Sequence, residues 1–252
     1  MELKRYFVEL SYNGSAYHGW QRQPNAMSVQ QVLEEALSKL IRECISLVGA
    51  GRTDTGVHAR QMFAHFDTAQ EIVNPKELVF LLNGFLKDDI AIKAIRRVQP
   101  TAHARFDATA RYYQYYIATT KDPFHTPSHY YLKNKPDIYL MNQAAKILLL
   151  HEDFQCFSRS NTNVKTFLCN IKKAEWQKED DYLVFYICAN RFLRNMVRAI
   201  VGTLLEIGFK KRKVEDIEMV IKSKDRGKAG FSAPAHGLYL SRIEYPQNIF
   251  VD

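Results

Sequence analysis

The chain has 252 residues, 46% of them hydrophobic and 25% charged, with a formal net charge of +8. That balance excludes disordered, collagen-like and membrane-embedded classes and leaves room for one large domain or two ordinary ones. The longest apolar stretch, 199–209, is interrupted by Glu206 and stays well short of the roughly 20 residues of a membrane-crossing helix. No basic-then-apolar leader opens the chain, since Lys4 and Arg5 run straight into an alternating pattern, so a cytoplasmic location is expected. Surplus positive charge points to a polyanionic partner, nucleic acid foremost. Cys44, Cys156, Cys169 and Cys188 are scattered without a Cys-x-x-Cys pair, which argues against zinc and disulfides and for buried free thiols.

Residues 5–12 alternate, with Tyr6, Val8, Leu10 and Tyr12 on one face, and are expected to form a strand. An aromatic and basic loop, Tyr17 to Gln23, follows. Ser28 and Gln31 form a capping-box start, and Val29, Val32, Leu33, Ala36, Leu37, Leu40 and Ile41 recur at helical spacing, predicting a helix over 29–43. Strands are expected at 45–50 and 60–68. Asn74, Pro75 and Glu77 open a second helix that ends near Asn83, and Ile90 to Val98 reads as another strand. Strand, helix, strand, strand, helix, strand is the split β-α-β order of ferredoxin-like folds.

The second half repeats that order loosely. A strand over 109–118 leads through the Pro-rich loop 123–136 into a helix over 138–150, and a hairpin is expected from 169–178 and 182–190. Phe192, Leu193, Met196, Val197, Ile200, Val201, Leu204 and Leu205 then keep helical spacing until Gly208, with Arg191, Arg194 and Arg198 along one flank. A short helix at 214–223 and a strand at 238–245 complete the chain. The expected fold is α+β: two ferredoxin-like halves, 1–103 and 104–252, with mainly antiparallel sheets around a central cleft.

The stretch richest in chemistry is Gly51 to Ala59, a polar loop between two strands. An aspartate in such a loop most often stabilises the turn itself. Arg52, two residues from Asp54, favours the ionised carboxylate that a nucleophile or general base requires. Arg198 sits at the border of an apolar stripe, where it could meet a carboxylate. On the strand 109–118, Tyr113 and Tyr115 share one face and Tyr112 and Tyr116 the other, and a tyrosine facing a cleft could stack on a base. Of the eight histidines, His18, His58, His65, His103, His125 and His129 give no His-x-x-x-His pair suited to a helix, so metal binding is weakly indicated. No P-loop, Rossmann fingerprint or nucleophile elbow occurs, and no cofactor is expected.

These residues together resemble the tRNA pseudouridine synthase A family. The likeness runs through Tyr17 to Gln21, Gly51 to Ala59, His103 to Phe106, Ala110 to Tyr113, Asp153 and Phe154, Met196 to Gly202, and Ala233 to Leu240. Tyr112, Gln114, Lys87 and Phe231 depart from the family's pattern. The resemblance implies a cofactor-independent isomerase that converts uridine to pseudouridine at positions 38, 39 and 40 of the tRNA anticodon stem-loop, working as a homodimer. It assigns Asp54 as the catalytic aspartate, Tyr113 as the active-site tyrosine and Arg198 as the acid's basic partner. Arg22, Arg52, His58, Arg111 and Tyr113 would contact the RNA. Two other classes fit the residues less fully: a non-catalytic RNA-binding protein, which gives Asp54 no task, and a metal-assisted phosphodiesterase using Asp54 and His58.

Overall fold

The computed structural model describes residues 3–123, 128–159 and 164–251. The chain folds into two compact units, one made of residues 1–109 and 240–252 and the other of 110–239. It is a mixed α and β protein whose strands pair mainly antiparallel, with five α-helices among the described residues.

In the first unit, β1 (Lys4–Tyr12) leads through a short turn to α1 (Val29–Ile41), then β2 (Val48–Gly49), β3 (His58–Thr68), α2 (Pro75–Phe85) and β4 (Ile90–Arg97). β1 is central, pairing antiparallel with both β3 and β4. Its burial departs from simple alternation because Phe7 is as covered as Tyr6 and Val8. Phe7 meets Phe63, Tyr245 and Phe250 on the sheet's other side. α1 starts where its cap directs it, the Ser28 hydroxyl accepting from the Gln31 N–H at 3.3 Å, and α2 starts on Asn74, which accepts from Glu77 N–H at 3.2 Å.

The strand expected over 45–50 is paired only at Val48 and Gly49. Ile45 and Leu47 are buried, but their amides go to side chains: Ile45 N–H to Ser38 Oγ and Leu47 N–H to Glu34 Oε1, both at 2.9 Å. The segment is therefore core without being ladder.

The second unit holds β5 (Ala110–Ala118), β6 (Tyr130–Tyr131), α3 (Ile138–Leu148), β7 (Ile171–Glu179), β8 (Tyr182–Ala189), α4 (Met196–Gly208) and α5 (Asp216–Ser223). β5 pairs antiparallel with β8, and β8 with β7. β6, absent from the sequence expectation, runs parallel to the end of β5. The last strand, β9 (Leu238–Glu244), begins in this unit's residues and continues into those of the first.

α4 starts later than its apolar spacing suggests. Asn195 takes a left-handed conformation (φ 66°) before Met196, so Phe192, Leu193, Arg191 and Arg194 precede the helix and only Arg198 lies on it. Of the four cysteines expected to be buried, Cys44 is exposed, while Cys156, Cys169 and Cys188 are buried and free. His125 and residues 124–127 of the Pro-rich loop lie outside the described residues. No helix among the described residues is long and apolar enough to cross a membrane.

Candidate active site

The loop between β2 and β3 carries Asp54, and the segment after β1 clamps it from both sides. Tyr12, last residue of β1, shares a 2.8 Å hydrogen bond between its hydroxyl and Thr53 Oγ1, with both side chains buried. The Thr53 carbonyl accepts from the Trp20 N–H at 3.3 Å. On the other side of Asp54, the Gly56 N–H donates to the Tyr17 carbonyl at 3.4 Å, and the Val57 N–H closes a turn onto the Asp54 carbonyl at 3.1 Å. Asp54 itself is half-buried. Its neighbours on the chain are thus fixed by partners distant in sequence, which is how a reactive side chain gains a defined direction on a loop.

Two glycines make this fit. A Cβ on Gly19, whose φ is +85°, would lie 2.3 Å from the Thr53 carbonyl oxygen, and one on Gly49 would lie 2.3 Å from the Trp20 indole nitrogen. Tyr17 is anchored in turn. Its hydroxyl donates to Asp89 Oδ1 at 2.7 Å, and burial, reinforced by that carboxylate, pushes the phenol well above its ordinary range. His58 is a buried brace, its Nδ1 accepting from the Gly14 N–H at 3.1 Å. Arg52 is exposed. Arg22 is largely exposed and pairs with Glu34 at 3.4 Å, while Glu34 in turn accepts from Gln30 and the Leu47 amide.

In the second unit, Arg198 sits in the first turn of α4. Its Nε donates to the Ala233 carbonyl at 2.6 Å, and its own carbonyl accepts from the Ala233 N–H at 3.0 Å. Nearby Tyr115 is buried, its hydroxyl donating to the Pro234 carbonyl at 2.8 Å. Burial drives that phenol's pKa far up, with Tyr130 adding to the rise and Arg198 opposing it. His236 is held below its ordinary value by burial and by Arg198. Tyr113 is half-buried and meets the Phe192 ring edge-on at 5.1 Å, while Arg111 donates from Nη1 to the Asn190 carbonyl at 2.8 Å. Within the first unit Arg52 and Asp54 lie on one clamped loop and His58 opens β3 directly after it. Tyr113, Arg111 and Arg198 belong to the second.

A family model described as tRNA pseudouridine synthase matches residues 10–107 and 144–246. The chain belongs to that family. The tRNA pseudouridine synthase A of Bacteroides fragilis is 51% identical over 251 residues, covering 99% of this chain and 100% of the relative. That of Porphyromonas gingivalis is 48% identical, covering 99% and 100%, and that of Acetivibrio thermocellus 40%, covering 94% and 97%. The stretches matched to the tRNA pseudouridine synthase model take in Arg22, Arg52, Asp54, His58 and Arg198, whereas Arg111 and Tyr113 fall between them.

Sequence reasoning missed the clamp itself. Tyr12 reads as one more alternating strand residue and Thr53 as a loop hydroxyl, and nothing local joins residues 41 apart. The glycine in His18-Gly19-Trp20 was the available signal, because a glycine between two large aromatic side chains suggests a close backbone approach. Among the described residues, no three His, Cys, Asp or Glu side chains gather as a metal site requires.

Proposed function

We propose that the protein isomerises uridine to pseudouridine in tRNA, at positions 38, 39 and 40 of the anticodon stem-loop, with Asp54 as the catalytic carboxylate. The observation that carries the reading is the clamp around Asp54: bonds on both sides of the residue aim one half-buried acid from an otherwise polar loop. Membership of the tRNA pseudouridine synthase family and the net charge of +8 support a tRNA substrate.

The reaction breaks the N1 glycosidic bond, turns the uracil and joins C5 to the same ribose carbon, so nothing is consumed and no redox partner is needed. Asp54 acts on the base or at the ribose. A uridine within a stem must first leave its stack, and Tyr113 is assigned to pack on the extruded ring. Arg198 is assigned to pair with Asp54 and keep it ionised where water is scarce. This reading requires two ferredoxin-like halves, 1–103 carrying the Asp54 loop and 104–252 completing the cleft. The element order β1, α1, β2, β3, α2, β4 of the first unit supports it. It also takes the enzyme to be a cytoplasmic homodimer, with Arg22, Arg52 and Arg111 as further RNA contacts, while His58, expected to contact RNA, is buried and braces the loop instead.

Release of C5 hydrogen from labelled uridine in tRNA tests the reading. Asp54→Asn and Asp54→Ala are expected to lower release by about three orders of magnitude or more while tRNA still binds. Arg198→Lys should fall between wild type and Arg198→Ala, because lysine keeps the charge but loses the planar fork. Full release by Asp54→Ala would remove the assignment. Chelator-sensitive strand cleavage would replace isomerisation with phosphodiester hydrolysis.

A further inference from the structure

At the end of β3 remote from Asp54, every backbone N–H of the turn 102–107 is hydrogen-bonded. Arg5 binds Asp67 through two 2.7 Å bonds and extends Nη1 to the Ala102 carbonyl at 2.9 Å. Buried His65 accepts the Ala104 N–H on Nδ1 at 3.1 Å, and the Ala104 carbonyl accepts from the Tyr245 hydroxyl. His103 Nδ1 accepts from the amides of Arg105 and Phe106, at 3.1 and 3.3 Å. Asp107 closes the turn, its carboxylate accepting the His103 N–H at 2.7 Å and its own N–H donating to the His103 carbonyl at 3.1 Å.

All this order presents two side chains outward. Phe106 is 72% exposed. Its ring lies 4.2 Å from that of His103, which meets His65 at 4.7 Å, and the Arg105 guanidinium lies 5.6 Å from the Phe106 centroid. A lone exposed phenylalanine on a loose loop would mean little. Here the ring is backed by His103 of the same rigid turn, itself backed by His65 on β3, and is accompanied by an arginine, which is the composition of a base-stacking platform. His65 is seven residues along β3 from His58, roughly 23 Å at strand rise, so the platform stands apart from the loop bearing Asp54.

We propose that Arg105 and Phe106 form a second RNA contact, in which an unpaired base stacks on the Phe106 ring and Arg105 meets the adjoining phosphate. The inference rests on tRNA being the substrate. It adds a binding element that carries affinity rather than chemistry.

Because both side chains point outward, their replacement leaves the fold intact, which thermal melting checks. Dissociation constants for full-length tRNA and kcat for C5 hydrogen release are then compared. Phe106→Ala is expected to weaken binding about tenfold, within the range of one lost base stack, with kcat at saturating tRNA unchanged. Phe106→Trp restores binding and Phe106→Leu does not. Arg105→Gln lowers the slope of log affinity against log salt by about one.

Wild-type affinity in Phe106→Ala overturns the inference. So does full rescue by leucine, which marks a generic apolar contact, or loss of dimer mass in Phe106→Ala, which marks a protein interface. In each of these cases wild-type turnover of tRNA leaves the proposed function standing. A wild-type protein that neither binds nor modifies tRNA overturns both.

Discussion

Gly19→Ala places one methyl group against the clamp. The added Cβ would stand 2.3 Å from the Thr53 carbonyl oxygen and 3.1 Å from the Asp54 carbonyl carbon, against about 3.4 Å for an ordinary contact. Relief requires a shift of about 1 Å in a peptide tied to Trp20 and, through the Thr53 side chain, to Tyr12. The residue must also hold φ near +85°, at a cost of about 1 to 2 kcal/mol for a residue with a Cβ. A displacement of that size at a reacting group costs on the order of 10²-fold in rate. Gly51→Ala is the control, since its Cβ would meet nothing within 4 Å. In single-turnover C5 hydrogen release, Gly19→Ala should lose about two orders of magnitude with little change in tRNA affinity, and Gly51→Ala should stay near wild type. Urea unfolding should show a loss of a few kcal/mol for Gly19→Ala alone. A Gly19→Ala rate within threefold of wild type, or an equal loss in Gly51→Ala, would refute the idea that this approach positions Asp54.

The bond between Tyr12 and Thr53 should behave as one unit. Tyr12→Phe strands a buried hydroxyl, costing about 1 to 3 kcal/mol and lowering kcat more than it changes KM, and adding Thr53→Val should cost little more; strictly additive losses would show that the two side chains act separately. Stability should also fall in acid. Burial first, and then Arg5 and His103, lower the His65 pKa to about 4, so the unfolded chain takes up this proton at higher pH than the folded one. The contribution is complete above about pH 6.5 and is lost as pH falls towards 4, amounting to about 2 kcal/mol after allowance for solvent screening. Urea midpoints measured across that window should flatten in His65→Gln; an unchanged pH profile would mean that another group is responsible.

What was legible in the sequence was local. Ser28 and Asn74 marked helix starts because a cap bonds only two or three residues ahead. Asp54 stood out as a candidate because two glycines and an arginine crowd it. Burial without secondary structure was the source of error. Phe192 and Leu193 continue the apolar spacing of α4, yet the left-handed Asn195 separates them from it and Phe192 packs on Tyr113 instead. Ile45 and Leu47 look like strand, but Ser38 and Glu34 take their amides. The clamp and the edge-on His65–His103 contact join residues about 40 apart, and periodicity carries no information at that range.

The first unit has a particular relation to the order of synthesis. Its sheet includes residues from Leu240 onward, with Tyr245 against Phe7 and Phe63, and Ile249 accepting the Gln99 N–H at 2.8 Å. Those residues leave the ribosome only after the 130 residues from 110 to 239. At about 5 to 20 residues per second, the amino-terminal unit waits about 6 to 26 s for the strand that completes it. Residues 1–109 thus wait for a segment made much later, and the unit that carries the Asp54 loop is completed only once residues 240–252 have joined it.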